Sequence, residues 1–275
     1  MKKIFLCIVV LFFASTLYAN ALCVRIAQLT DVHIGPKDDE KTATSIDKLN
    51  AAIKSINNRN DIDVVVFTGD NIDKSNVKDL KTFCSIVRHL NKPYYVLLGN
   101  HDAYKVSGIP QEDYMKAIKA TNRKNQKTIQ QNFAFHVNKD IEAICLDGTT
   151  PNIPSSHGFF GEETIKWFKK TLAKNKNKKI VIFQHFPLIP PEEQRQLRLL
   201  EPEEEASILD NNRNIILIAS GHYHIGAVNI DENGVYHIST PSLLMSAQYR
   251  IIEIDYKKHD KKCFEIRTEL VDVKY

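Results

Sequence analysis

Short apolar runs alternate with segments of helical spacing through the first hundred residues, and this alternation restricts the possible folds more than any other feature. The apolar runs lie at residues 24–30, 64–68 and 93–98. The helical segments lie between them, at residues 44–57 and 77–90. Because each helix separates two strands, the order predicts a parallel sheet with right-handed crossovers.

The second half of the chain contains a second set of strand patterns. Apolar runs lie at residues 133–137, 141–146, 179–183 and 215–219, with a helical segment at 162–172. Short strands with turn residues follow at 227–230, 235–239, 249–255 and 263–268. Asn233-Gly234 predicts a two-residue hairpin between two of them. We therefore expect an α/β fold in which two sheets pack face to face with helices outside.

The N-terminal residues are typical of a secretory signal. Lys2 and Lys3 precede an apolar run at residues 4–14, and Ala19-Asn20-Ala21 matches the small-x-small cleavage rule. We expect residues 1–21 to be a signal peptide and 22–275 one domain, exported to the periplasm or secreted. An uncleaved anchor is the rival interpretation, but the run is short for a span of about 20 residues. After cleavage we expect no stable membrane anchor.

The net charge of the chain is small. It is +4 over the whole sequence, and loss of Lys2 and Lys3 leaves 35 basic against 33 acidic residues. This balance does not favour a nucleic-acid polymer as partner. Four cysteines remain after cleavage, none in a Cys-x-x-Cys pair, so a zinc-ribbon site has no support. We expect Cys84 and Cys145 to be buried thiols, whereas a bridge between Cys23 and Cys263 stays open.

Polar blocks follow five of the predicted strands. They are Asp31-Val32-His33, Gly69-Asp70-Asn71, Gly99-Asn100-His101-Asp102, His185, and Gly221-His222-Tyr223-His224. Since α/β sheets bind ligands beyond the carboxyl ends of their strands, we expect these blocks to converge on one crevice. Carboxylate, amide and imidazole groups together suit first-row divalent metals.

The spacing within these blocks supports a metal site. In an extended segment the side chains at i and i+2 leave on the same side, so Asp31-x-His33 and His222-x-His224 each present two ligands. The Asp70 carboxylate has two oxygens and can bridge two metals, which at about 3.5–4 Å apart clamp a phosphate. Each block alone is weak evidence, and only the ordered set of five is specific.

The remaining histidines lie outside these blocks. We expect structural or surface roles for His89, His136, His157, His237 and His259, with His157 as a candidate substrate contact. Asn71 is a weaker candidate for contact with the phosphate or a ligand.

The five blocks, in this order, resemble those of the calcineurin-like metallophosphoesterase superfamily over residues 24–224. The resemblance implies a four-layer α/β/β/α sandwich of two mixed sheets, with a dinuclear metal site at the carboxyl ends of the strands. It implies two divalent ions, of Mn, Fe, Zn or Co. One set of implied ligands is Asp31, His33, Asp70 and His224, and the other is Asp70, Asn100, His185 and His222.

The same resemblance implies the chemistry. His101 would protonate the leaving oxygen or stabilise the transition state, and Asp102 would orient His101. A metal-bridging hydroxide would attack phosphorus in line. The block ending in His224 looks similar to bacterial cyclic-nucleotide phosphodiesterases, so we expect a small phosphate diester as substrate. Gln184 is a departure, because many relatives carry another histidine or a proline nearby.

Three functions remain open at this point. They are a phosphodiesterase, a phosphomonoesterase of the acid phosphatase or nucleotidase kind, and a non-catalytic metal-binding module. The presence of every implied ligand argues against the third. We also expect the polar insert at residues 103–132 to overhang the site. The oligomeric state is not predicted.

Overall fold

The computed structural model describes residues 21–35, 44–103, 108–128, 130–149, 156–192, 199–257 and 260–275. Apart from Ala21, the predicted signal peptide lies outside the described residues, as does His259. Within the described ranges, no helix has both the length and the apolar character needed to cross a membrane.

Thirteen strands are assigned within the described residues. In chain order they are β1 Ala21–Leu29, β2 Val64–Thr68, β3 Tyr94–Leu97, β4 Phe133–His136, β5 Ile141–Leu146, β6 Gly158–Phe159, β7 Lys179–Gln184, β8 Leu199–Leu200, β9 Ile215–Ser220, β10 Ala227–Ile230, β11 Tyr236–Ser239, β12 Gln248–Lys257 and β13 Asp260–Asp272. Seven helices accompany them: α1 Ser45–Asn57, α2 Val77–Val87, α3 Asn100–Ala103, α4 Gln111–Thr121, α5 Glu162–Lys174, α6 Pro202–Asp210 and α7 Leu243–Ser246.

The strands form two large mixed sheets and one small one. The first sheet has the order β13-β12-β1-β2-β3, and its β1, β2 and β3 are parallel, as the strand–helix alternation predicts. The second sheet has the order β10-β11-β9-β7-β5-β4, with β5, β7, β9 and β11 parallel. Strands β6 and β8 pair separately. The prediction of two mixed sheets is confirmed.

Alternation of side chains explains how the layers stack. In β7, Val181 and Phe183 belong to the core that includes the first sheet, whereas Ile180 and Ile182 belong to the core beneath α5 and α6. A strand with apolar residues on both faces is buried on both faces, so β7 reads as a continuous apolar run. Helices α1, α2 and α4 share the first core. The result is the expected four-layer α/β/β/α sandwich.

The insert that follows β3 packs on the body of the fold. Its helix α4 contacts α2 and places Tyr114, Met115 and Ile118 in the first core. Its Gln126 side chain accepts from Val96 N at 2.9 Å and donates to Val96 O at 3.1 Å, which satisfies the edge of β3. The described part of the insert thus supports the first sheet, in contrast to the predicted overhang.

Turn chemistry modifies one predicted hairpin. Strands β10 and β11 do pair, but five residues connect them, 231–235, in place of two. Asp231 Oδ1 accepts hydrogen bonds from the backbone nitrogens of Asn233 and Val235, and Gly234 has a φ of +78°. The Asp231 side chain therefore organises a wider loop in which only Gly234 needs a left-handed backbone.

The cysteines among the described side chains are free thiols. Cys84 and Cys145 are buried, as predicted, and Cys23 is exposed. The side chain of Cys263 lies outside the described part. Cys23 lies on β1 and Cys263 on β13, with β12 hydrogen-bonded between those two strands. The bridge between Cys23 and Cys263 that the sequence left open involves the Cys263 side chain and so lies outside the described part.

Candidate metal centre

The five polar blocks meet where the strands of both sheets end. Asp31 N donates to Gly69 O at 3.0 Å, which joins the ends of β1 and β2. Gly221 N donates to His185 O at 3.0 Å, which joins the ends of β9 and β7. His222 N donates to Asp31 Oδ2 at 3.1 Å and connects the two sheets. The predicted crevice therefore lies between the sheets.

Five of the implied ligands have a left-handed backbone. They are Asp31, His33, Asp70, His222 and His224, with φ between 50° and 72°. The prediction that Asp31-x-His33 and His222-x-His224 are extended segments is wrong, although each pair does turn into the same space. Residues other than glycine rarely adopt this backbone conformation, and residues strained in this way cluster at functional sites.

At two positions of the site there is room only for glycine. A Cβ on Gly99 would lie 2.2 Å from Asp70 Oδ1, and one on Gly221 would lie 2.0 Å from Thr30 Oγ1 and 2.6 Å from Asp31 Oδ2. Any side chain at either position would displace a carboxylate of the site.

The first group of candidate ligands is Asp31, His33, Asp70 and His224. His224 Nε2 lies 3.2 Å from both Asp31 Oδ1 and His33 Nε2. His33 Nε2 lies 3.8 Å from Asp31 Oδ1 and from Asp70 Oδ2. Asp31 Oδ1 is buried and has no hydrogen-bond partner. Each of the four side chains thus offers one ligand atom, and these atoms all lie within 4.8 Å of one another.

The second group is Asp70, Asn100, His185 and His222. His185 Nε2 lies 3.0 Å from Asn100 Oδ1, 3.2 Å from His222 Nδ1 and 3.4 Å from Asp70 Oδ2. Asp70 Oδ1 accepts from His101 N at 2.8 Å, so Oδ2 is the oxygen that both groups share. The structure therefore brings all seven implied metal ligands into two adjoining groups.

Backbone carbonyls orient the two histidines of the second group. Thr68 O lies 2.8 Å from His185 Nδ1, and Ser156 O lies 3.2 Å from His222 Nε2. Because a carbonyl only accepts, these contacts place the proton on the ring nitrogen that faces away from the crevice. When the ring is neutral, as a metal ligand must be, the opposite nitrogen presents its lone pair to the site.

The charge of the site calls for cations. Burial raises the pKa of the Asp70 carboxyl, but His185, His33 and His101 outweigh it and hold that pKa well below its usual range. Burial lowers the pKa of His185, but Asp70 raises it to about 9, so a proton on His185 offsets one carboxylate. Burial and the charge on His185 lower the pKa of His222 to about 3. Buried carboxylates require such positive partners, or metal ions.

The donor atoms fit divalent ions. Ligands held at about 2.0–2.2 Å from a metal lie roughly 3–3.5 Å from one another, and the nitrogen and oxygen separations in both groups are close to this range. Carboxylate, imidazole and amide donors suit Mn, Fe, Zn and Co.

His101 lies beside both groups. Its Nδ1 is 2.7 Å from Asp73 O, and its Nε2 is 4.0 Å from Asp70 Oδ2. Its side chain is 38% exposed, in contrast to the buried Asp70. Asp73, which the sequence interpretation missed, also has Oδ1 3.7 Å from His33 Nδ1. A backbone carbonyl carries no sequence signal, so this orienting contact could not be predicted.

The predicted role of Asp102 is wrong. Its carboxylate accepts hydrogen bonds from Gly99 N, Asn71 N, Asn71 Nδ2, Ile72 N and the Tyr114 hydroxyl, at 2.9 to 3.2 Å. The orienting contact to the His101 ring comes instead from the Asp73 carbonyl. Asp102 is buried and ties the loop after β3 to the loop after β2, because five donors converge on it.

The weaker candidates have other partners. Asn71 Nδ2 donates to Leu97 O at 2.9 Å, as well as to Asp102, so this side chain supports the loops. His237 pairs with Asp231 at 3.0 Å, and His136 contacts Glu142 and Lys178. His157 Nδ1 lies 3.4 Å from Ser156 Oγ, and its contact with substrate stays a prediction.

Comparison with known proteins defines the class. The family model described as calcineurin-like phosphoesterase matches residues 24–226, and the chain belongs to this family. Together with the two ligand groups, this makes the protein a metal-dependent phosphoesterase that uses two divalent ions.

The sequence identity to individual relatives is low. The chain is 25% identical over 229 residues to the 3′,5′-cyclic adenosine monophosphate phosphodiesterase of Haemophilus influenzae, covering 80% of this chain and 76% of the relative. It is 27% identical over 206 residues to a probable glycerophosphodiester phosphodiesterase of Arcobacter nitrofigilis, covering 72% and 71%. A dimetal phosphatase from Danio rerio has the same fold, with a TM-score of 0.68, 14% identity and coverage of 88% and 98%.

Proposed function

We propose that the protein hydrolyses small phosphate diesters with two divalent ions that share Asp70. The observation that carries the proposal is the position of Asp70 Oδ2, 3.8 Å from His33 Nε2 and 3.4 Å from His185 Nε2. Asp31, His33 and His224 would complete the first ion's ligands, and Asn100, His185 and His222 the second's. When bound, the two ions activate the phosphate and lower the pKa of a water molecule.

His101 is suited to supply the proton for the leaving oxygen. The Asp73 carbonyl accepts from Nδ1–H, which fixes the ring and leaves Nε2 on the side of Asp70. In its protonated form, His101 can donate from Nε2 to the departing alkoxide. Its partial exposure gives a substrate access to that nitrogen, whereas the buried ligands contact only the crevice.

The preference for a diester rests on the relatives. Two of them carry phosphodiesterase names, and the chain spans more than two thirds of each. Phosphomonoesters are the alternative substrates, because the same two metal groups serve either reaction. The Danio rerio phosphatase supports only the fold, since its identity is 14%.

Hydrolysis of chromogenic esters tests the function. We expect protein reloaded with Mn²⁺ to hydrolyse bis-(p-nitrophenyl) phosphate faster than p-nitrophenyl phosphate, and we expect a chelator to abolish both rates. A panel of glycerophosphodiesters and cyclic nucleotides then defines the substrate. Faster monoester hydrolysis would favour the alternative, and equal rates with and without chelator would exclude the mechanism.

We also propose that the protein is exported after removal of residues 1–21. The support is the basic, apolar and small-residue order of that segment. Sequencing the N-terminus of protein from a periplasmic or culture fraction should give Leu22 as the first residue. Full-length protein retained in the cytoplasm would contradict export.

The identity of the ions is a separate question. Metal analysis of the natively expressed protein distinguishes among Mn, Fe, Zn and Co.

A further inference from the structure

Helix α7 is attached directly to the loop that carries Asp31. Leu243 N donates to Thr30 O at 3.0 Å, and Leu244 N donates to Asp31 O at 3.3 Å. Ser242 Oγ donates to Asp31 O at 2.8 Å and accepts from Met245 N at 3.2 Å. The buried Leu243 side chain anchors the turn in the first core. These bonds hold Met245 at a defined position beside the first metal group.

The sulfur of Met245 contacts the outer nitrogen of His224. Sδ lies 3.1 Å from Nδ1, while Nε2 of the same ring faces Asp31 and His33. His185, His222 and His101 have a backbone carbonyl at the equivalent place. His224 thus has a thioether, which is a weak acceptor, where the other three rings have a strong one. Met245 is also 69% exposed.

We propose that Met245 positions His224 and makes the first metal group sensitive to peroxide. The inference rests on the proposed role of His224 as a metal ligand. While Sδ accepts from Nδ1–H, Nε2 keeps its lone pair toward the site. An oxidant can change this contact without touching a ligand.

The oxidation is a two-electron step. The sulfur lone pair attacks one oxygen of hydrogen peroxide, the O–O bond breaks, and a sulfoxide and water result. Oxidation adds an oxygen to the sulfur that contacts Nδ1 and turns an apolar side chain into a polar one, so the contact that orients the His224 ring is changed. Met115 is buried, so among the described methionines only Met245 is open to reagent.

Titration with Mn²⁺ tests the inference. Compared with wild-type protein, we expect Met245→Leu to weaken the binding of one of the two ions about tenfold and to leave the binding of the other unchanged. Met245→Gln restores an acceptor and should recover most of the affinity. Ile230→Leu is the control, since Ile230 is exposed on β10.

Peroxide treatment provides a second test of the role of Met245. Wild-type protein should gain one oxygen by mass at Met245 and lose affinity for the same ion, whereas Met245→Leu should show neither change. If His224→Ala binds both ions as wild type does, the proposed ligand assignment fails. If His224→Ala loses an ion, but Met245→Leu and oxidised protein bind both normally, the role of Met245 is overturned and the proposed function stands.

Discussion

His101 and Asp102 are neighbours in the chain but have different environments. His101 is partly exposed beside Asp70, and its ring contacts the backbone carbonyl of Asp73 and lies edge to face with the His33 ring. Asp102 is buried and accepts from five donors, four of them in two loops and the fifth the Tyr114 hydroxyl on α4. One side chain is placed for proton transfer and the other for support of the loops.

Replacement of His101 should remove chemistry and leave the metals in place. In His101→Asn we expect two bound ions, an unchanged unfolding temperature and a fall in kcat of about 10²–10⁴-fold, which is typical for loss of a general acid. Metal analysis and steady-state kinetics on the reloaded enzyme measure both. Loss of an ion in this variant would show that His101 is a ligand.

Asp102→Asn provides the contrast, because its effect should fall on stability. An amide group presents N–H donors to backbone N–H groups that need acceptors, so we expect a loss on the order of 3 kcal/mol in urea unfolding. Tyr114→Phe removes one donor and should cost about 1 kcal/mol. A stable Asp102→Asn protein with an altered pH profile would instead support the orienting role.

Helix α6 carries a buried acid next to the strand that ends in the site. Glu205 is 1% exposed, and Gln184 Nε2 lies 3.3 Å from its Oε2. Glu205 Oε1 and Gln184 Oε1 are both buried without partners. Burial raises the pKa of Glu205 to about 8 from the ordinary 4.5, and the bond from Gln184 only partly offsets this. A protonated Glu205 is therefore the stable form inside the protein.

The raised pKa of Glu205 makes the folded protein less stable as the pH rises. The folded state holds the proton more tightly than the unfolded state, so this contribution is complete below about pH 4.5 and is lost as pH rises through about 8. We expect Glu205→Gln to match wild type near pH 4.5 and to be more stable by on the order of 4 kcal/mol at pH 8. Urea unfolding at several pH values measures the difference.

An exposed neighbour on the same helix controls for the change of charge. Glu203→Gln removes an equal charge at an exposed position of α6, so its stability difference from wild type should not depend on pH. A Glu205→Gln difference that is flat across the same range would show that Glu205 is ionised in the folded protein at neutral pH.

At the scale of the molecule, the metal centre joins two sheets. Asp31 and Asp70 follow β1 and β2 of the first sheet, and His185 and His222 follow β7 and β9 of the second. Ions bound by both sets would hold the sandwich closed at this edge. Because ions that bind only the folded state stabilise it, metal content should control the unfolding temperature.

Chelation should therefore destabilise the wild-type protein. At Mn²⁺ about 100-fold above the dissociation constant, each site adds about 2.7 kcal/mol, which a chelator removes. Asp70→Ala lacks the shared ligand, so we expect it to bind neither ion firmly and to show no response to chelator. Differential scanning calorimetry compares the two proteins. An equal shift of unfolding temperature in both would mean that Asp70 does not hold the ions.

Local patterns in the sequence determined the order of the long strands and helices, the packing of two sheets, and the segments that carry Asp31, Asp70, Asn100, His185 and His222. They could do so because apolar runs, glycines and side-chain ligands are visible within a few residues. The same patterns did not show the short strands β6 and β8 or the helices α3, α6 and α7. Such patterns do not predict the left-handed turns. They also do not predict the short helix that exposes Met245.

Only the tertiary structure decided which groups support those ligands. The His101 ring rests on the carbonyl of Asp73, 28 positions earlier, and Asp102 receives the hydroxyl of Tyr114 from an insert expected to cover the site. Every residue carries a carbonyl, and any buried donor can approach a carboxylate. The choice among them depends on how distant elements pack, which no pattern of neighbouring residues records.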